Sequence, residues 1–192
     1  MLKIINSPSR QYSIDSCYNL RTQNLREIIK VLEFSRDNIK EAVAFKIVIQ
    51  IEESFDIKRM SKLIKSKLQS YGFGLAYSVE HAARAGLHVH LMICISSRGR
   101  KSPISVLHTI RESLGNLEGV ISAKAFAKRT EEDTSNKDYF HRLHKENEFS
   151  DAVMRYSYIA KNEDKADVQR AKKFGTSKAK GTSKKVNVVA TV

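Results

Sequence analysis

The stretch Phe73–Ile95 reads FGLAYSVEHAARAGLHVHLMICI and predicts two β-strands joined by a short polar turn. The second strand carries His88 and His90 on either side of Val89. Because successive side chains of a strand point to opposite faces, the two imidazoles share one face and the valine lies on the other. Two imidazoles on one face of a strand are a natural pair of metal ligands.

The pairing of the two strands decides which residues accompany these imidazoles. Pairing Val79 with Val89 brings the apolar residues of both strands onto one face, because residues directly opposite each other share a face. Glu80 then lies opposite His88, and residues His81–Leu87 form the hairpin turn. A carboxylate beside two imidazoles suits Mg²⁺ or Mn²⁺ when water and phosphate oxygens complete the coordination. The alternative is that the histidines are structural and bind no metal.

The composition points to a polyanionic partner. The chain has 192 residues, 41% of them hydrophobic, and a formal net charge of +13. This length fits one domain with appendages. The excess of positive charge predicts nucleic acid as the partner, with an acidic membrane surface second and a solubilising or ribosomal role as the alternative.

Cysteine usage and the absence of long apolar runs predict a reducing cytosol. Cys17 and Cys94 are the two cysteines, and they form neither a CxxC motif nor a disulfide-like framework. The first thirty residues contain no continuous apolar core of a secretory leader, and no run reaches transmembrane length.

The order of periodic segments predicts an α+β fold. Strand, helix, strand, strand, helix, strand is the β-α-β-β-α-β order of a ferredoxin-like antiparallel sheet with flanking helices. The predicted segments are a strand at Ala42–Ile51, a helix at Asp56–Tyr71, the hairpin, a helix at about 104–115 and a strand at Val120–Arg129.

Three regions follow from the same periodicity and from shifts in composition. Residues 1–40 are predicted to be an N-terminal arm and a helix packing on the core, with Met1–Asn24 irregular and the helix at about Asn24–Ser35. Residues 41–161 form the main domain. Residues 162–192 are rich in Lys, Ser and Gly and predict a basic, mostly extended tail.

A candidate nucleophile lies on a later predicted helix, Phe149–Lys161. Tyr158 is one turn from Lys161, and a nearby cation favours the phenolate form, which makes Tyr158 a suitable nucleophile. Tyr156 is about 200° away around the helix, so the two tyrosines face differently. The alternative is a packing tyrosine beside a surface lysine.

Basic side chains outside these motifs are predicted to contact DNA. The loop Ser96–Pro103 carries three cations just beyond the histidine strand, and phosphate contacts are plausible there. His141 and His144 fall in a polar segment, where they are either additional residues of the site or, as is usual for exposed loop histidines, without a role. The predicted DNA contacts are Lys46, Arg98, Arg100, Lys101, Arg155, Lys172, Lys173 and Lys178.

These motifs, in this order, resemble the His-hydrophobic-His (HUH) superfamily of single-strand nucleases. That superfamily includes rolling-circle replication initiators, conjugative relaxases and some transposases. The segment Arg155–Lys161 (RYSYIAK) followed by Phe174–Lys178 (FGTSK) more closely resembles the inovirus gene-two-type replication proteins and their prophage relatives, the YagK/YfjJ C-terminal domain family. The resemblance covers roughly residues 42–178, and Ile159 stands where leucine is usual.

The resemblance implies an HUH-endonuclease fold and a metal-dependent tyrosine endonuclease that starts rolling-circle replication of a phage, prophage or plasmid. Mg²⁺ or Mn²⁺ on Glu80, His88 and His90 would bind the scissile phosphate of a single-stranded origin. Attack by Tyr158, assisted by Lys161, would leave a 5′-phosphotyrosine and a free 3′-hydroxyl. The host helicase and polymerase in the bacterial cytoplasm are the expected partners.

Other functions remain open on the sequence. A relaxase or transposase would use the same chemistry, and a non-catalytic DNA-binding protein could use the same fold. An RNA-binding module could also have a ferredoxin-like sheet. The central strands lack the aromatic pair that such a module uses to stack bases, and this argues against it.

Overall fold

The computed structural model describes residues 2–6, 11–15, 19–82, 86–98, 101–128, 138–161 and 173–177, which form strands and helices in one α+β arrangement. The strands are β1 (Leu2–Asn6), β2 (Gln11–Asp15), β3 (Ala42–Ile51), β4 (Phe73–Ala82), β5 (Gly86–Ser96), β6 (Val120–Phe126), β7 (His141–Arg142) and β8 (Phe174–Thr176). The helices are α1 (Thr22–Asn38), α2 (Ile57–Leu68), α3 (Pro103–Gly115) and α4 (Glu146–Ser157), followed by a 3-10 turn at Tyr158–Ala160. No helix in these ranges is long and apolar enough to cross a membrane.

The main sheet has six antiparallel strands. Its order is β6-β3-β5-β4-β8, and β7 adds a short pairing to β3. When β3, β4, β5 and β6 are numbered 1 to 4 in chain order, they lie across the sheet in the order 4-1-3-2. This order is compatible with a ferredoxin-like fold. The predicted α+β class, with an antiparallel sheet and flanking helices, is confirmed.

The predicted hairpin register is also confirmed. Val79 pairs with Val89, and Glu80 pairs with His88, as the matching of apolar faces requires. The ladder continues to a pair between Ala82 and Gly86, so the turn is shorter than the predicted His81–Leu87.

One face of the sheet packs against α2 and α3. Inward-facing residues of the central strands, such as Phe45 and Leu91, are fully buried there. Met60 and Ile64 of α2 and Leu107 of α3 pack against them. Close packing in this larger core makes the central hairpin a rigid support for the side chains on its opposite face.

Among the described residues, α1 and α4 cover the part of the opposite face that contains Ala44 and Ala76. A Cβ atom on Gly74 would lie 2.5 Å from Oγ of Ser35, so α1 needs a glycine in order to approach β4 this closely. Ala44 and Ala76 are also fully buried under these helices. The small residues Gly74 and Ala76 therefore make room for α1.

The N-terminal segment differs from its prediction as an irregular arm. β1 and β2 form an antiparallel hairpin, and Tyr12 and Ile14 of β2 are buried in the smaller core. The Tyr12 hydroxyl donates to Oε1 of Glu33 at 2.8 Å, and the Tyr12 ring lies 5.8 Å from the ring of Phe149. The prediction was wrong because the apolar alternation in β2 covers only two residues.

The motif FGTS, predicted to lie in an extended tail, adds the edge strand β8 to the sheet. Gly175 lies over Tyr77, where a Cβ atom would be 2.6 Å from the phenol ring, so a larger residue would displace the strand. The backbone and hydroxyl of Ser177 exchange hydrogen bonds with Leu75. Phe174 packs on the smaller core. The described part of the C-terminal region is therefore part of the fold.

Candidate active site

The three predicted metal ligands converge near the end of β4 and the start of β5. Nε2 of His90 lies 3.3 Å from Oε2 of Glu80, and Nε2 of His88 lies 3.9 Å from the same oxygen. One ligand atom from each of the three residues lies within 4.8 Å of the other two ligand atoms. The antiparallel pairing of β4 and β5 creates this cluster, because it sets Glu80 directly opposite His88.

Glu80 is held in place by a serine. Its carboxylate is 1% exposed, and Oε1 accepts a hydrogen bond from Oγ of Ser78 at 2.9 Å. A buried carboxylate is costly unless it is hydrogen-bonded and faces positive charge. Ser78 lies on the same face of β4 two residues before Glu80, so the strand itself orients the carboxylate toward the imidazoles.

His88 presents the correct nitrogen for a metal. Its Nδ1 lies 2.9 Å from the carbonyl oxygen of Gly86, and a proton on Nδ1 donates to that oxygen. This contact leaves Nε2 unprotonated in the neutral ring, and Nε2 is the atom that faces Glu80.

His90 is oriented by packing. Its ring lies between those of His88 and Tyr158, at centroid distances of 4.9 Å and 5.3 Å. Its Nδ1 is buried and has no hydrogen-bond partner in the described part of the chain. Burial lowers the pKa of His90, as does the Lys46 ammonium, while the hydrogen bond to Glu80 opposes the shift. The ring therefore stays neutral, the form that binds metals, to a lower pH than an ordinary histidine.

The cluster fits a divalent metal ion. One carboxylate and two imidazoles provide three protein ligands, which leaves the remaining positions of an octahedral ion for water or phosphate oxygens. The convergence of three ligand atoms in a largely buried cluster is the observation that supports the predicted Mg²⁺ or Mn²⁺ site.

Tyr158 lies directly beside this cluster. It begins the 3-10 turn at the end of α4, and its ring meets the His90 ring at 73°, edge to face. The next two residues, Ile159 and Ala160, are fully buried and anchor the turn in the smaller core. The N–H of Arg21 donates to the carbonyl of Ala160 at 2.9 Å, so the start of α1 also fixes the turn.

Two lysines flank the ring of Tyr158. Nζ of Lys46 lies 5.0 Å from the ring centroid, and Nζ of Lys161 lies 5.5 Å from it. Lys161 was predicted as the partner of Tyr158, whereas Lys46 was predicted only as a DNA contact. Sequence spacing did not reveal the second contact because β3 and the 3-10 turn meet only through tertiary packing. Both ammonium groups can offset negative charge on a phenolate or a phosphate.

Tyr156 has a structural environment. It is 1% exposed, and its ring lies 5.5 Å from that of His141. Burial strongly raises the pKa of Tyr156, so its hydroxyl stays protonated within the core. The separation of the two tyrosines predicted from the helical period is confirmed, with Tyr156 inside and Tyr158 at the site.

The histidines of the segment before α4 lie away from the three ligands. His141 on β7 pairs with Ala44, toward the end of β3 that α1 and α4 cover. Burial, with the positive charges of Arg155 and Lys128, lowers the pKa of His141 to about 4. His144 is exposed. Among the described residues, the group that can hold a metal is Glu80 with the two strand histidines.

The predicted DNA contacts are spread over the molecule. Arg98 forms an ion pair with Glu41 beyond the end of β5, whose last residue, Ser96, is roughly 20 Å from His90 at about 3.3 Å per residue. Lys101 is exposed in the same region, and Arg155 donates to the carbonyl of Ala127 at 2.6 Å. The carbonyl of Lys173 accepts from Val79 beside β8. Arg100, Lys172 and Lys178 lie outside the described residues.

Lys46 is therefore the predicted DNA contact that the fold brings beside the three ligands and Tyr158. Arg98 and Arg155 each have a protein partner in the structure, at Glu41 and Ala127. Their contacts with DNA stay predictions.

Replacing Ser78 with alanine should weaken metal binding without unfolding the protein. The change removes the hydrogen bond that orients Glu80, and loss of such a supporting contact typically lowers metal affinity by about 10- to 100-fold. Calorimetric titration with Mn²⁺ measures the effect. Ser96→Ala, which removes a strand serine bonded to Lys40 at the far end of β5, is the matched control and should leave affinity unchanged. Equal affinities in both variants would contradict the role given to Ser78.

Comparison with known proteins identifies no family for this chain. The chain matches no protein-family model, and no curated protein or solved structure is significantly similar to it. Membership of the HUH superfamily and of the inovirus-type family therefore stays a prediction from the motifs and their order.

Proposed function

We propose that this protein nicks and rejoins single-stranded DNA through a covalent bond to Tyr158, as an initiator of rolling-circle replication. The observation that carries the proposal is the edge-to-face contact of Tyr158 with His90, at 5.3 Å between ring centroids. It sets a candidate nucleophile beside a candidate metal site. Nucleophile, electrophilic stabiliser and cationic groups within one site are what phosphoryl transfer requires.

Each side chain has a task in this reaction. Glu80, His88 and His90 would hold Mg²⁺ or Mn²⁺, which when bound polarises the scissile phosphate and offsets its charge. The Tyr158 oxygen loses its proton and attacks phosphorus, and the bond from phosphorus to the 3′-oxygen breaks. That oxygen takes up a proton and leaves as a 3′-hydroxyl, while the 5′-phosphate stays on the tyrosine.

The covalent bond keeps the energy of the phosphodiester, so attack by a 3′-hydroxyl reverses the step and rejoins the strand. The released 3′-hydroxyl is the primer that a host polymerase extends. Lys46 and Lys161 place two positive charges close to Tyr158, where both the phenolate and the phosphate carry negative charge. The net charge of +13 supports a salt-sensitive affinity for the DNA backbone.

A covalent-adduct assay tests the proposal. The protein is incubated with a single-stranded oligonucleotide that contains the origin of its own replicon, with Mn²⁺, with Mg²⁺ or with EDTA. A species that migrates as protein plus DNA on a denaturing gel is expected with either metal and not with EDTA. The same sequence as a blunt duplex should give much less adduct, because the attacked phosphate must enter the site as a single strand. No adduct on the single strand with either metal would overturn the proposal.

A further inference from the structure

An exposed aromatic side chain lies on the site face of the edge strand. Phe126 of β6 is 43% exposed and belongs to neither hydrophobic core of the described residues. It pairs directly with Lys46 of β3, so the two side chains share a face of the sheet. Within the described residues, neither hydrophobic core therefore uses this ring, although burying a phenylalanine is worth about 1.5–3 kcal/mol.

One ammonium group connects this ring to the candidate nucleophile. Nζ of Lys46 lies 5.9 Å from the ring centroid of Phe126 and 5.0 Å from that of Tyr158. A phosphate bound at Lys46 would thus have the reacting tyrosine on one side and the exposed phenyl ring on the other.

A second cation borders the phenyl ring on the same strand. Lys124 is exposed and lies two residues before Phe126, hence on the same face of β6. Lys124 pairs with Val48 of β3, and Val48 pairs with His90 of β5. Lys124 is therefore the edge residue of the cross-strand row that contains the candidate ligand His90. Aromatic rings interleaved with cations are the pattern by which proteins bind single strands, with cations on the phosphates and rings under the bases.

We propose that Phe126 is a stacking platform for an unpaired base of the DNA strand, next to the phosphate that Tyr158 attacks. This inference rests on the proposed function for its substrate, single-stranded DNA. Lys46 and Lys124 bind the phosphates on either side of the stacked nucleotide. A duplex cannot offer such a base, because pairing and stacking hold it within the helix.

The natural chain contains no tryptophan, which allows a direct optical test. The F126W variant carries a single indole that keeps an aromatic ring on the platform. In EDTA, which prevents cleavage, single-stranded DNA should quench its fluorescence saturably, by at least about a third. An abasic sugar-phosphate strand of equal length carries the charge without the bases and should leave the signal unchanged. Ile121→Trp, at a 59% exposed position of the same strand, is the matched control and should respond to neither strand.

Affinity gives a second readout of the same platform. Phe126→Ala should weaken binding of the single strand by about 5- to 150-fold, the range for loss of one base–aromatic stack, while Ile121→Ala should not. Fluorescence anisotropy of a labelled oligonucleotide measures both constants. Equal quenching by the abasic strand, or equal affinity in the two alanine variants, would overturn the inference.

The two proposals fail in different ways. A covalent adduct without base-dependent quenching in F126W overturns the platform and leaves nicking intact. Base-dependent quenching without any adduct on the origin strand overturns nicking and supports the platform.

Discussion

Replacing Tyr158 with phenylalanine is expected to abolish the covalent protein–DNA product. The change removes the attacking oxygen and keeps the ring that packs on His90, so the fold and the candidate metal site should be preserved. Loss of a nucleophile typically lowers turnover by at least about a thousandfold. Time courses of adduct formation on the origin oligonucleotide, with Mn²⁺ present, measure the loss.

Tyr156 provides the matched control for this variant. It lies two residues earlier in the same segment but is buried in the core against His141. Tyr156→Phe should therefore form adduct at close to the wild-type rate. A Tyr158→Phe protein that retained full adduct formation, or a Tyr156→Phe protein that lost it, would assign the chemistry to another residue.

Replacing His90 with alanine should remove metal binding. His90 supplies the ligand atom closest to Glu80, and its loss leaves two ligands and an enlarged opening between them. We expect the Mn²⁺ dissociation constant to rise by at least about 100-fold, beyond the effect of losing a supporting residue. Because metal stabilises the folded state that binds it, Mn²⁺ should raise the melting temperature of the wild-type protein and leave that of the variant unchanged.

His108, an exposed histidine on α3, is the control for that experiment. His108→Ala removes an imidazole from the surface without touching the cluster, so its response to Mn²⁺ should match that of the wild-type protein. Circular dichroism verifies that both variants are folded. Undiminished Mn²⁺ binding by folded His90→Ala would exclude the metal site described above.

Much of the site could be predicted because it lies on one hairpin. The alternation of β4 and β5 leaves one register that buries both apolar faces, and that register fixes Glu80 opposite His88. A sequence pattern of period two is sufficient for this conclusion, since the contacts run between neighbouring strands. The succession of the four core strands and two helices along the chain was predicted from the same local patterns.

The rest of the site depends on contacts that sequence spacing does not encode. Tyr158 reaches His90 because Ile159 and Ala160 are buried beneath α1, and Lys46 reaches Tyr158 from a different strand. The helix that was predicted to carry Tyr158 ends at Ser157, so the tyrosine projects from a 3-10 turn. Tertiary packing decides each of these positions.

Contacts between distant segments also decide which small and apolar residues matter. The space beside Gly74 is needed by Ser35 of α1, a helix far away in sequence. The strand β2 was not predicted, because its two apolar residues, Tyr12 and Ile14, are buried only through tertiary packing against α4. Small residues and short alternations are ambiguous until the element that covers them is known.

The most direct test of the central claim is to identify the residue bonded to DNA. The adduct formed on the origin oligonucleotide with Mn²⁺ is digested with protease and nuclease, and the peptide that retains a nucleotide is sequenced by mass spectrometry. We predict a phosphotyrosine at Tyr158 joined to the 5′ end of the cleaved strand, with the 3′ fragment ending in a hydroxyl. A nucleotide on any other residue, or cleavage with no covalent peptide, would contradict the mechanism.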